Sequence, residues 1–342
     1  MAAPGKDDAS RRPARLAAAM LAAALAASPA SARPTADALR GLQAQDLRVA
    51  TIGYRLATAA LPFCESGAYQ AGIAFHDLSQ YGAGAQDAAR EAFGLGEGPA
   101  VLAVVPGSPA ERAGVRAGDE VVAIDDVPVP AAEGARSFQR MAALGEAVER
   151  SGSDGEVRLT LRRDGAPVAA TMILTPGCPS RFQLRPSTSL NAEADGTYVQ
   201  VTTRMVEYTG DEETLAGMMA HELAHNILDH RVRLNAAGMS RGLFRGFGRN
   251  GRLSRAAEEE ADRLAPYLLE LAGYPTRPLV TFWTRYRRDH GLGIFRDGTH
   301  PGEKARIDLT EREIARIERL KAAGQPIRPD LSAGTAALEA AR

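Results

Sequence analysis

The stretch His221-Glu222-Leu223-Ala224-His225 decides how the rest of the chain is read. On an α-helix, residues four apart lie one turn apart on the same face, so the two imidazoles can reach one metal ion and Glu222 sits beside its open position. The surroundings favour that helix. Leu215, Met218, Met219, Leu223 and Ile227 form an apolar stripe, and either Thr209 with Glu212 or Asp211 alone can cap the start. Neutral imidazole suits zinc, and an adjacent carboxylate can accept a proton from a metal-activated water. A chain of ordinary composition carries this five-residue pattern by chance in on the order of one case in a hundred, so a third ligand is needed.

Working outward, Glu258-Glu-Glu-Ala-Asp262 supplies candidates on a second helical stretch. Glu258 and Asp262 share a face. One can bind the metal while the other orients a ligand histidine through its free ring nitrogen. Glu259 and Glu260 point elsewhere on that helix. The remaining histidines His76, His230 and His290 show no partner in the sequence and are read as structural or exposed. Arg231 to Arg255 holds seven Arg, five Gly and two Phe, a composition that fits a flap, a membrane-surface contact or a solvated loop.

Between Gly67 and Pro176 the pattern changes to short apolar runs such as Val101 to Val105 and Val121 to Ile124, separated by Gly, Pro and Asp. Val157, Leu159 and Leu161 alternate with polar residues, and Arg163-Asp-Gly-Ala166 reads as the turn before another strand. Phe138, Met141, Leu144 and Val148 fall at helical spacing, so one amphipathic helix interrupts this β-rich region. Thr35 to Pro62 reads as one or two helices. Tyr198 to Thr202 is strand-like, and helices follow to about Ala322.

The 342 residues suffice for two domains at roughly 150 residues each. Lys and Arg number 41 against 42 for Asp and Glu, which leaves no general electrostatic reason to bind nucleic acid. Arg11, Arg12 and Arg15 precede an apolar run from Leu16 to Ala27, and Ala30-Ser31-Ala32 follows, so residues 1–32 read as a signal peptide. That run falls short of the ~20 residues a membrane span needs, and no transmembrane segment is expected in the mature chain. The expected location is periplasmic or secreted, where a disulfide between the only two cysteines, Cys64 and Cys178, is permitted. They flank the β-rich segment, whose ends should lie close together.

Several stations in order resemble the zinc metallopeptidase family of the HtpX-like proteases, the CAAX prenyl endopeptidase and periplasmic quality-control proteases. These are Asn191 to Thr203, His221 to His225 with His230, Ser254-Arg255 with Glu258 to Asp262, and Thr299-His300-Pro301 with Arg306-Ile307. The resemblance implies a gluzincin with zinc held by His221, His225 and Glu258, Glu222 as general base and Asp262 orienting a ligand. It places His300 near the metal, either stabilising the oxyanion or blocking the open position. Substrate would lie extended along Tyr198 to Thr203. The stretch from Val105 to Asp119, followed by Val121 to Asp125, resembles PDZ domains of the HtrA type. That resemblance implies a groove for peptide C-termini or extended segments, with Gly72 and Ile73 at the carboxylate loop and Phe138 and Met141 on the facing helix.

The expected architecture is α+β. It comprises a signal peptide at 1–32, an N-terminal helical segment of the protease domain at 33–66, a PDZ-like domain at 67–177, a mainly helical zinc metalloprotease domain with a small sheet at 178–323, and a loose tail at 324–342. The expected function is zinc-dependent cleavage of polypeptides. A peptide-binding protein with a latent metal site and a zinc hydrolase of cell-wall peptides are the alternatives.

Overall fold

Helix α1 (Ala36–Ala59) begins where Thr35 accepts a hydrogen bond from the Ala38 amide, and it ends just before Leu61 and Pro62. The computed structural model of the chain describes residues 33–129, 138–239, 248–290 and 302–332. The expected signal peptide, His300, part of the Arg/Gly-rich stretch and the tail beyond 332 therefore lie outside the described residues. Ile52 and Leu56 of α1 are fully buried, and Gly53 lets Phe182 approach so closely that a Cβ there would come within 2.1 Å of its ring.

Strands β1 (Ala68–Gln70) and β2 (Ile73–His76), helix α2 (Gln86–Phe93) and strand β3 (Ala100–Val104) follow. Next come α3 (Pro109–Arg112), β4 (Glu120–Ile124), β5 (Val127–Pro128), α4 (Gln139–Ser151), β6 (Glu156–Arg163), β7 (Ala166–Ile173) and β8 (Thr175–Gly177). The main sheet runs β2-β3-β4-β6-β7, with β5 paired to β4, and its pairs are antiparallel. Asp164 and Gly165 both take positive φ, 51° and 81°, as a two-residue hairpin turn requires. Val101, Val121, Leu159, Leu161 and Met172 fill the core beneath α4. The segment between β2 and β3 is more regular than its sequence suggests, because Ala89 of α2 packs with Leu39 of α1.

The ends of this β-rich region meet. Strands β1 and β8 pair antiparallel as a separate ribbon, and just beyond them Cys64 and Cys178 form a disulfide with their Cα atoms 5.8 Å apart. A second small sheet follows from β9 (Arg181–Arg185), β10 (Ala192–Ala194) and β11 (Tyr198–Thr202), in the order β10-β11-β9. The chain is completed by α5 (Thr203–Thr209), α6 (Glu212–Ile227), α7 (His230–Ala236), α8 (Gly248–Leu271), α9 (Arg277–His290) and α10 (Glu303–Ala322). The fold is α+β, with a mainly helical part beside the PDZ region.

Helix α6 is buried on nearly every side, with Leu215, Met219 and Leu223 at zero exposure, each contributing ~1.5–3 kcal/mol of burial. Asp211 caps it, accepting from the Thr214 amide at 2.7 Å. Gly217 admits Leu279 of α9 to close contact, and Asn226 ties the far end to the small sheet by accepting from Gly196 and donating to Ser180. The helix is thereby held rigidly at the centre of the largest core.

Candidate metal centre

His221, Glu222 and His225 lie on the last two turns of α6, and Glu258 reaches them from α8. One ligand atom from each of His221, His225 and Glu258 lies within 4.8 Å of the others. The two Nε2 atoms are 3.2 Å apart, and Glu258 oxygens lie 3.4 Å from His221 and 3.6 Å from His225. Glu222 and Glu258 are both buried, at 8% exposure.

Each imidazole is held from behind. His221 Nδ1 stands 3.1 Å from Asp262 Oδ1, so Asp262 favours the tautomer protonated at Nδ1, with Nε2 turned toward Glu258 and also 3.1 Å from Arg306 Nη2. Arg306 of α10 anchors Asp262 with two hydrogen bonds of 2.8 and 2.7 Å and lies flat over the Trp283 ring at 3.5 Å. Its Nη2 is also 3.4 Å from Glu258. Behind His225 the support runs through a second histidine. His225 Nδ1 is 2.8 Å from His230 Nδ1, and His230 Nε2 is 2.7 Å from Glu260. Glu260 is in turn gripped by Arg233 at 2.7 and 3.2 Å. A single consistent assignment has His225 donating to His230 and His230 donating to Glu260, with both rings neutral.

These contacts correct the sequence reading twice. His230 is buried and supports His225, and Glu260 points toward the site rather than away. His230 is reached because Asp229 takes the left-handed conformation, φ 49°, which turns α7 back against α6. The other two histidines are also partnered: His76 is buried and bonds Tyr81 at 2.9 Å, and His290 stacks on Tyr286. Arg306 and Trp283 carry no metal-ligand signature in the sequence, although Arg306 falls within a resembling motif.

The electrostatics suit a cation. Burial and the Arg306 charge disfavour a protonated His221, but Asp262 and Glu258 outweigh them and hold its pKa up at about 9. Burial pushes His225 well down, so that ring is neutral. Glu222, Glu258 and Asp262 face the one guanidinium of Arg306, so carboxylates outnumber the fixed cation around the two imidazoles. Two imidazoles and one carboxylate are a zinc donor set.

The expected substrate strand needs correction. β11 is central, with β9 along one edge and β10 along the other, so neither edge is open for pairing. Among the described residues β10 stands at one end of this sheet, and it packs against α6. In the β-rich region, Gly72, Ile73, Phe138 and Met141 line one cavity. Phe138 precedes α4 and is 54% exposed, so it borders the groove from outside the helix rather than from its wall.

Comparison with known proteins agrees with this geometry. Residues 101–163 match the model of a PDZ domain, and residues 161–249 match that of peptidase family M48. The second match includes His221, Glu222 and His225 and ends before Glu258. A protein of Synechocystis sp. described as a serine protease, HhoA, is 40% identical over 76 residues, which is 22% of this chain and 17% of that protein. That similarity partly covers the PDZ region, and the chain spans about a sixth of the relative's length. Over these residues the chain is similar to a PDZ domain followed by a segment of peptidase family M48, a family of zinc metallopeptidases.

Proposed function

We propose that this protein is an exported zinc-dependent metalloendopeptidase that cleaves envelope or misfolded polypeptides and takes hold of peptide ends through its PDZ domain. The observation that carries this reading is the convergence of His221, His225 and Glu258 next to Glu222 in a rigid, buried helix. A zinc ion held by those three side chains would supply Lewis acidity, polarising a peptide carbonyl and making water a nucleophile at neutral pH. Glu222 accepts the proton of the attacking water and returns it to the leaving amine. Asp262 and His230 keep the two imidazoles aimed and in the right tautomer. An extended substrate would pair with the free edge of β10, which runs beside α6.

The N-terminal signal pattern and the disulfide support export to an oxidising compartment. No helix among the described residues is long and apolar enough to cross a membrane. Glu222→Gln tests the mechanism. It should keep full zinc content while lowering turnover of an unfolded protein substrate by ~100-fold or more. Retained activity in that variant would refute Glu222 as the base, and lost zinc would place it among the ligands.

A further inference from the structure

A cavity of about 820 Å³ lies between the PDZ region and the remainder of the fold. Strand β2 stands at the end of its sheet and lines this cavity, with Met141, Ala142 and Val148 of α4 on one side. Helix α1 and strand β9 close the other sides. The two helices lie on opposite faces of the PDZ sheet, as neighbouring residues of β3 show. Val101 packs with Leu144 and Val148 of α4, whereas Ala100 packs with Leu39 of α1. Gln43 of α1 also donates to the Leu102 carbonyl at 2.7 Å, which sets α1 directly over β3.

Almost every charged group lining the cavity is already satisfied. Arg181 forks onto Glu149 at 2.7 and 2.6 Å, Arg185 pairs with Glu193 at 3.0 Å, and Asp195 accepts from the Thr197 and Tyr198 amides. His76 bonds Tyr81. Asp46 of α1 differs. No described residue donates a hydrogen bond to it, and burial pushes its carboxyl up to about 7. An ionised carboxylate in such a place is strongly favoured by any cation that enters.

A peptide that adds to β2 as a strand must send successive side chains to alternate faces. If its terminal side chain enters the pocket beneath α4, the side chains one and three residues earlier point toward α1. We propose that Asp46 is a specificity residue, selecting peptides that carry Lys or Arg at one of those two positions before a C-terminal residue. This rests on the reading of the PDZ groove as a site for peptide C-termini. The site is composite, because the selecting carboxylate comes from α1 and not from the PDZ region.

The test uses the full chain carrying Glu222→Gln, so that peptides are not cut, and fluorescence anisotropy of labelled octapeptides ending in Val. Lys and Gln are compared at each of the two positions, with free or amidated C-termini. Lys at one of them should tighten binding by about fivefold or more over Gln. Asp46→Asn should abolish that advantage while binding the Gln peptide as its parent does. Equal binding of Lys and Gln peptides by the Glu222→Gln chain alone overturns the proposal without any further variant, as does an undiminished Lys advantage after Asp46→Asn. Dependence on a free carboxylate with no Lys preference overturns the role of Asp46 only. Indifference to amidation overturns the groove reading and this proposal with it.

Discussion

His221 and His225 sit one turn apart on α6 but lean on different supports, a carboxylate for one and a histidine-carboxylate pair for the other. Removing such a support typically weakens metal binding without removing a ligand. His230→Ala and Glu260→Gln should each weaken zinc affinity by ~10–100-fold, read by competition with a chromophoric chelator. Glu258→Ala should instead leave the protein without stoichiometric zinc. Unchanged affinity in His230→Ala would make its contact with His225 simple packing. Helical spacing made the pairs His221 with His225 and Glu258 with Asp262 legible, and the family resemblance picked Glu258 over Asp262 as the candidate ligand. His230 was not legible, since it lies beyond the end of α6 and returns only through the left-handed Asp229, whose backbone sign no single sequence reveals. Glu260 was set aside because two helical steps from Glu258 lead to another face, and that face is the one His230 occupies.

At the scale of elements, α1 connects the two halves of the account. It packs Gly53 on Phe182 of β9, hydrogen-bonds β3 through Gln43, and presents Asp46 to the cavity. Asp46 gives α1 a pH signature. Its carboxyl rises from an ordinary 3.8 to about 7 on folding, so the folded state binds that proton more tightly than the unfolded chain does. The stability this confers is present below pH 4 and is lost as pH climbs through 7. Asp46→Asn should therefore raise stability at pH 8, by on the order of 1 kcal/mol given the partial exposure and visible as a higher melting temperature, and make little difference at pH 4. A variant equally destabilised at both pH values would contradict the shift. The helix itself was legible from Thr35 to Pro62. Its place over the PDZ sheet was not, because an amphipathic stripe shows that a face is buried and not what buries it. The strand Tyr198 to Thr202 was likewise found, but its central place in the sheet follows from pairing partners such as Arg181 to Arg185, which strand periodicity does not identify.

For the whole molecule, the Cys64–Cys178 bridge closes a loop with a sequence separation of 114 at the base of the PDZ region, next to the β1–β8 ribbon. Both cysteines and their flanking position were readable, since an inserted domain brings its ends together. The oxidised, unfolded protein should show no thiol reactive to labelling. Replacing both cysteines by Ser should lower stability by ~2–4 kcal/mol in denaturant titration. Two free thiols per chain would refute the bridge. The PDZ domain and the M48 segment were legible as ordered motifs, whereas the cavity between them arises only from packing and could not be.

The central claim is that the three side chains around Glu222 hold a zinc ion that makes this fold a peptidase. The most direct measurement is zinc content of the purified chain together with its digestion of an unfolded protein, before chelation, after removal of the metal, and after zinc is returned. One zinc per chain, loss of digestion with the metal, and recovery with about one equivalent restored are the expected results. Digestion that persists in the metal-free chain would contradict the claim.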